Sequence, residues 1–228
     1  MAWRSLCKSG YIAKRRIKIN PDNWYDIVSD KISDILELGA EKRQVISYGL
    51  SVLVSNLIGL FVVLFIAYLI GAFIPTSAMV IALLLLRPNA GGAHCSSSFN
   101  CNLFGFIFIP LLGYASAWLG KCPPAAIYTY FFTAVILAGG GILLNAPYFT
   151  QVKPRAEARR KKLKYRSLVI ASLLSAISFG LLILHKINWG VGMATGLLFQ
   201  GVMLLPPGIR GTQLLDDLLN NKVFKKRG

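Results

Sequence analysis

The sequence predicts an all-α polytopic integral membrane protein, with about six transmembrane helices and an N-terminal amphipathic helix. Three observations carry that expectation. Hydrophobic residues make up 55% of the 228, and they gather into runs long enough to cross a bilayer. The net charge is +16, yet the cations flank the apolar runs instead of covering a soluble surface, so nucleic acid is not an expected partner. The cations also concentrate in three stretches that fall on one side of a membrane if the chain crosses it six times.

The first nineteen residues carry Arg4, Lys8, Lys14, Arg15, Arg16 and Lys18 and read as a solvated or lipid-touching tail. Asn20 and Pro21 read as an N-cap with proline at the first helical position. Trp24, Ile27, Val28, Ile32, Ile35 and Leu36 then recur at helical spacing opposite Asp26, Asp30, Ser33 and Glu37, with Gly39 as a stop. No cleavable signal peptide is expected, because the first long apolar run starts near Leu50.

Residues 50–74 form the first expected span, ended by Pro75. Residues 77–86 are short and cross only if the segment continues through Gly91 and Gly92, shielded by protein. Residues 103–119 make a third span with Pro110 as a kink, and residues 121–124 a turn. Residues 125–144 make a fourth, loosened by Gly139, Gly140 and Gly141. Residues 167–184 make a fifth, residues 185–188 a second turn, and residues 189–205 a sixth, ended by Pro206 and Pro207. Gly192 and Gly196 match GxxxG; packing within one chain is the favoured reading, and a homodimer face the other.

Of 25 Lys and Arg, nine precede Leu50, eight lie in residues 153–166 and five follow Pro206. The positive-inside rule then puts all three stretches, both termini and the 87–101 region on the cytosolic side of the cell membrane. The expected organisation is a basic extension with its amphipathic helix (1–49), a six-span membrane domain (50–205) and a cytosolic tail (206–228).

One polar stretch interrupts the apolar runs. Arg87, Gly91, Gly92, His94, Cys95 and Cys101 sit where burial of apolar surface calls for none of them, and ionisable groups at a membrane edge point to function. His is the usual base near neutral pH, and Cys the strongest nucleophile once ionised. Adjacent side chains diverge, which disfavours His94 with Cys95. Cys101 is seven residues on, two helical turns or roughly 10 Å away, so pairing with His94 needs a bend. The glycines and Ser96, Ser97 and Ser98 supply one, and both cysteines stay open on the residues alone. The plainer reading of His and Cys in one loop is structural or solvated. A zinc site lacks ligands, since only His185 lies elsewhere.

Arg87, Gly92, His94 and Cys101 match the pattern Arg-x4-Gly-x-His-x6-Cys. That pattern resembles the accessory gene regulator B family, membrane cysteine endopeptidases of quorum sensing. The resemblance runs from about Lys31 to the C-terminus and takes in Tyr48, Gly49, Ala146, Pro147, Lys153 and Pro154. It departs at Phe149, where many members carry an acidic residue, and in the basic first twenty residues. It implies His94 and Cys101 as catalytic residues, an autoinducing-peptide precursor as substrate, and release of a thiolactone through an acyl-enzyme. No metal or other cofactor is implied.

Around that pair, Gly91 and Gly92 read as oxyanion donors or as loop-shaping residues. Arg87 reads as a substrate-carboxylate ligand or a topology anchor. Arg159, Arg160, Lys161 and Lys162 read as a contact for anionic membrane lipid or for an acidic precursor tail. Asn89, Asn100 and Asn102 are candidates to orient His94. The rival class is a non-enzymatic exporter or scaffold, with Asn56, Thr195 and Gln200 lining a route.

Overall fold

A computed structural model describes residues 40–93, 98–148 and 157–224. Among them the chain forms seven helices: α1 (Ala40–Leu69), α2 (Phe73–Ala90), α3 (Ser98–Leu119), α4 (Pro124–Asn145), α5 (Glu157–Ile183), α6 (Ile187–Leu204) and α7 (Pro206–Phe224). The expected N-terminal amphipathic helix lies outside the described residues. Helices α2 to α6 are each long and apolar enough to cross a membrane, and α1 contributes the shorter apolar stretch Leu53–Leu69. The protein is an all-α polytopic membrane protein, as its apolar runs predict.

The chain divides into two units, residues 1–58 and 59–228. In the first, the described residues are the opening turns of α1, where Leu53, Leu57 and Ile58 are exposed. The second holds the helix bundle.

The bundle is inverted relative to a soluble protein. Phe61, Phe65, Trp118, Ile136 and Leu144 face outward and are more than half exposed, whereas many alanines and glycines lie among the larger apolar side chains of the interior. That is the arrangement lipid demands, because tails solvate leucine as well as another helix does and helices gain most where backbones approach closely. On α2, Ala78, Ala82, Leu86 and Ala90 form a buried stripe at a spacing of four residues. It packs against Met193, Leu197 and Leu204 of α6, with Ala138 and Ile142 of α4 and Ala171 and Leu174 of α5 in the same core.

Helix α6 is the hub. A Cβ on Gly192 would lie 2.6 Å from Pro75 Cα, and one on Gly196 2.8 Å from Met79 O. A Cβ on Gly201 would lie 2.6 Å from Ala138 Cα, where Gly141 faces it. The GxxxG match is therefore spent on α2 of the same chain. Hydroxyls tie the bundle where apolar contact cannot: Ser116 and Tyr130 meet Thr195 Oγ1 at 2.6 and 2.8 Å, and Ser178 donates to Gly190 O at 2.8 Å.

Two boundaries differ from the expected ones. The first turn comes at Gly71, with φ 72, and not at Pro75, which is buried in the opening turn of α2. Proline is tolerated there because the first amides of a helix have no intrahelical acceptor to satisfy. The second span is consequently not short: α2 has 18 residues and runs through Pro88 to Ala90. Helix α4, for its part, continues without a break through Gly139, Gly140 and Gly141 to Asn145.

Candidate active site

Four helix ends meet at one end of the bundle: the last turns of α2 and α4, and the first turns of α3 and α5. The crossing is fixed by backbone pairing. Gly92 N–H donates to Tyr148 O at 3.0 Å and Tyr148 N–H to Ala90 O at 3.1 Å, so Gly91 and Tyr148 form a parallel bridge. Lys164 Nζ donates to Leu143 O at 2.6 Å, covering an open carbonyl in the last turn of α4 with the start of α5.

Gly91 leaves α2 at φ 71 and ψ −152, a conformation essentially reserved for glycine. A Cβ there would run into Tyr148 O. Gln200 secures the same point from α6, its Nε2 donating to Gly91 O at 2.7 Å from a buried position. The N–H groups of both glycines are engaged, that of Gly91 with Arg87 O at 2.9 Å and that of Gly92 with Tyr148 O.

Arg87 lies in the last turn of α2 and Cys101 in the first turn of α3. The guanidinium directs Nη2 at Cys101 Sγ at 3.9 Å, across a part-buried gap. Beside it, Asn100 Nδ2 donates to Asp216 Oδ1 of α7 at 2.7 Å, and both residues are buried.

The structure thus brings Arg87 to Cys101 and places Gly91 and Gly92 at the neighbouring crossover. His94 and Cys95 lie outside the described residues. Arg159, Arg160, Lys161 and Lys162 occupy the exposed opening turns of α5, at the same end of the bundle as Cys101. Asn89 donates to Leu85 O at 3.4 Å within its own helix. Of the polar residues that a route through the bundle would use, Gln200 and Thr195 are buried and hydrogen-bonded, and Asn56 is exposed.

Two groups carry a use that the sequence does not announce: Gln200, expected only as a residue lining a route, and Asp216, not singled out at all. Gln200 shows only as a single amide in an apolar span, and Asp216 only as a carboxylate four residues after Thr212 on a helix read as a tail. A cavity of about 730 Å³ lined by Trp118, Lys121, His185 and Trp189 opens at the other end of α3, away from the thiol.

The family model for accessory gene regulator B matches residues 25–204. An AgrB-like protein of Clostridium perfringens strain SM101 is 26% identical over 175 residues, covering 75% of this chain and 81% of that one. An AgrB-like protein of Halalkalibacterium halodurans is 26% identical, covering 78% and 84%. The accessory gene regulator protein B of Staphylococcus aureus strain bovine RF122 is 26% identical over 191 residues, covering 81% and 96%. No solved structure matches the chain. A family match over most of the chain, on a membrane bundle that brings the arginine and cysteine of the family pattern together, means that the protein belongs to the accessory gene regulator B family.

Proposed function

We propose that the protein is a membrane cysteine endopeptidase that processes an autoinducing-peptide precursor in quorum sensing. The observation that carries this reading is the approach of Arg87 to Cys101 Sγ at the N-terminal turn of α3. That is an environment for a thiolate, and few structural cysteines need one.

In the proposed reaction His94 takes the Cys101 thiol proton, and the thiolate attacks the scissile carbonyl of the precursor. The C–N bond breaks, His94 returns the proton to the leaving amine, and the N-terminal fragment stays on Cys101 as a thioester. The thiolate of a cysteine within that fragment attacks the thioester. The new ring closes as a thiolactone and Cys101 leaves as thiolate. One thioester replaces another, so the exchange is close to energy-neutral, provided that water is kept from the acyl-enzyme.

Gly91 and Gly92 act here as loop-shaping residues, because their N–H groups already have backbone acceptors. Arg87 serves the sulfur, and the cations at 159–162 draw in an acidic precursor tail. The rival reading as exporter or scaffold loses support from the same geometry, since Gln200 and Thr195 are spent on packing.

The deciding measurement is precursor cleavage by the Cys101→Ala protein. The endopeptidase reading expects none, and full cleavage by that variant would sink it.

A further inference from the structure

Helix α7 buries an unexpected stripe. Gly208, Thr212 and Asp216 recur every four residues and are buried, whereas Leu214 and Leu218 are exposed. A helix docked for apolar burial alone would turn its leucines inward. Thr212 is satisfied within the helix, its hydroxyl donating to Gly208 O at 2.9 Å. Asp216 instead reaches across 116 residues to accept from Asn100 at 2.7 Å. A buried carboxylate is costly unless hydrogen-bonded, and Asn100 supplies one such bond from another helix.

Asn100 directly precedes Cys101 in the first turn of α3. The opening turn of a helix has fewer intrahelical bonds than its middle, so a side-chain tie to another helix bears directly on its direction. Asp216 supplies such a tie from α7, beyond the 25–204 stretch that the family model matches.

We propose that Asp216 is a positioning residue, clamping the first turn of α3 through Asn100 and thereby setting the direction in which Cys101 presents its sulfur. The proposal rests on Cys101 as the nucleophile for its catalytic meaning, and its test is chosen to be independent of that assignment. The C-terminal helix is then part of the reaction centre and not a tail beside it.

The test uses the full chain in detergent, with Cys7, Cys95 and Cys122 changed to Ser so that iodoacetamide reports Cys101 alone. Asp216→Ala and Asn100→Ala are each expected to change the alkylation rate at least about fivefold, and the double variant no further than either single one. Asp216→Asn keeps an acceptor oxygen and is expected to stay within about twofold of the parent. Asn100→Asp sets two carboxylates against each other and is expected to behave like the alanine variants. Combining it with Asp216→Asn re-forms the pair with exchanged roles, and is expected to restore the rate. That rescue also carries the test if Asp216→Ala fails to fold.

Unchanged alkylation in the folded alanine variants, no rescue by the exchanged pair, or an equal change from the buried Thr212→Val control would each overturn the clamp. Cleavage of the precursor, measured alongside, is expected to lose kcat by about tenfold or more with KM nearly constant, since misdirection of a reacting group costs the chemical step. If alkylation responds as expected while Cys101→Ala still cleaves the precursor, the clamp stands and the endopeptidase reading fails.

Discussion

At the scale of single residues, Arg87 does not behave as a surface cation. Its guanidinium lies 3.9 Å from the Cys101 sulfur, at the end of one helix and the start of another, where the proposed reaction calls for a cation beside a thiolate. Lysine would deliver a point charge without the planar fork, so Arg87→Lys is not a conservative change there. The proposed pair of His94 and Cys101 makes a sharp prediction. Cys101→Ala and His94→Ala are each expected to abolish precursor cleavage, and Cys95→Ala to leave most of it, as read by the appearance of the C-terminal fragment on a gel. Loss of cleavage in Cys95→Ala alone would transfer the nucleophile's role to that residue.

At the scale of elements, α6 shows what a glycine is for in lipid. Gly192, Gly196 and Gly201 let neighbouring backbones come within contact of it. On α4, only Gly141 does the same, while Gly139 and Gly140 face open space. Gly192→Val is therefore expected to force α2 and α6 apart and to cost about 3 kcal/mol, as an overpacked core does at its upper end. Gly139→Ala has room and is expected to stabilise its helix by about 0.5–1 kcal/mol. Thermal unfolding in detergent separates the two. A Gly192→Val protein that melts with the parent would show that the seam is slack.

For the molecule as a whole, the question is which way the bundle faces. Cys101 opens α3 and Cys122 follows its end, about 27 Å further along the axis at 1.5 Å per residue. The proposed six crossings, with both termini inside, would put Cys101 on the cytosolic face and Cys122 outside. In intact cells an impermeant maleimide is expected to label Cys122 in a chain lacking the other cysteines, and Cys101 only after permeabilisation. The reverse pattern would overturn the topology. The exposed cations at 159–162 share the Cys101 end of the bundle. Changing all four to Gln is expected to slow capture of an acidic precursor at low salt, with the difference shrinking as salt rises. Single exposed pairs are worth only about 0–1 kcal/mol, but a cluster steers encounter. Measured in neutral-lipid nanodiscs, parental rates for the Gln variant would leave the stretch as a lipid anchor.

Fold class, the apolar spans α2 to α6, the turns that join α3 to α4 and α5 to α6, and the Arg87–Gly92–His94–Cys101 pattern are all legible in the sequence. Each of these is written in local signals: apolar run length, prolines and glycines at turns, and spacing within a short stretch. The sequence misjudged the first turn, because Gly71 and Pro75 are both breakers and only a helix already packed on its neighbours shows which one breaks it. Tertiary structure alone decided that Gln200 holds Gly91, that Gly91 pairs with Tyr148, and that Asp216 reaches Asn100. Those contacts join residues 57 to 116 positions apart. No local pattern can announce them, since the partner of a buried polar group is set by which helices become neighbours. In this bundle the small residues of α6 make that choice, by letting α2 and α4 close on it.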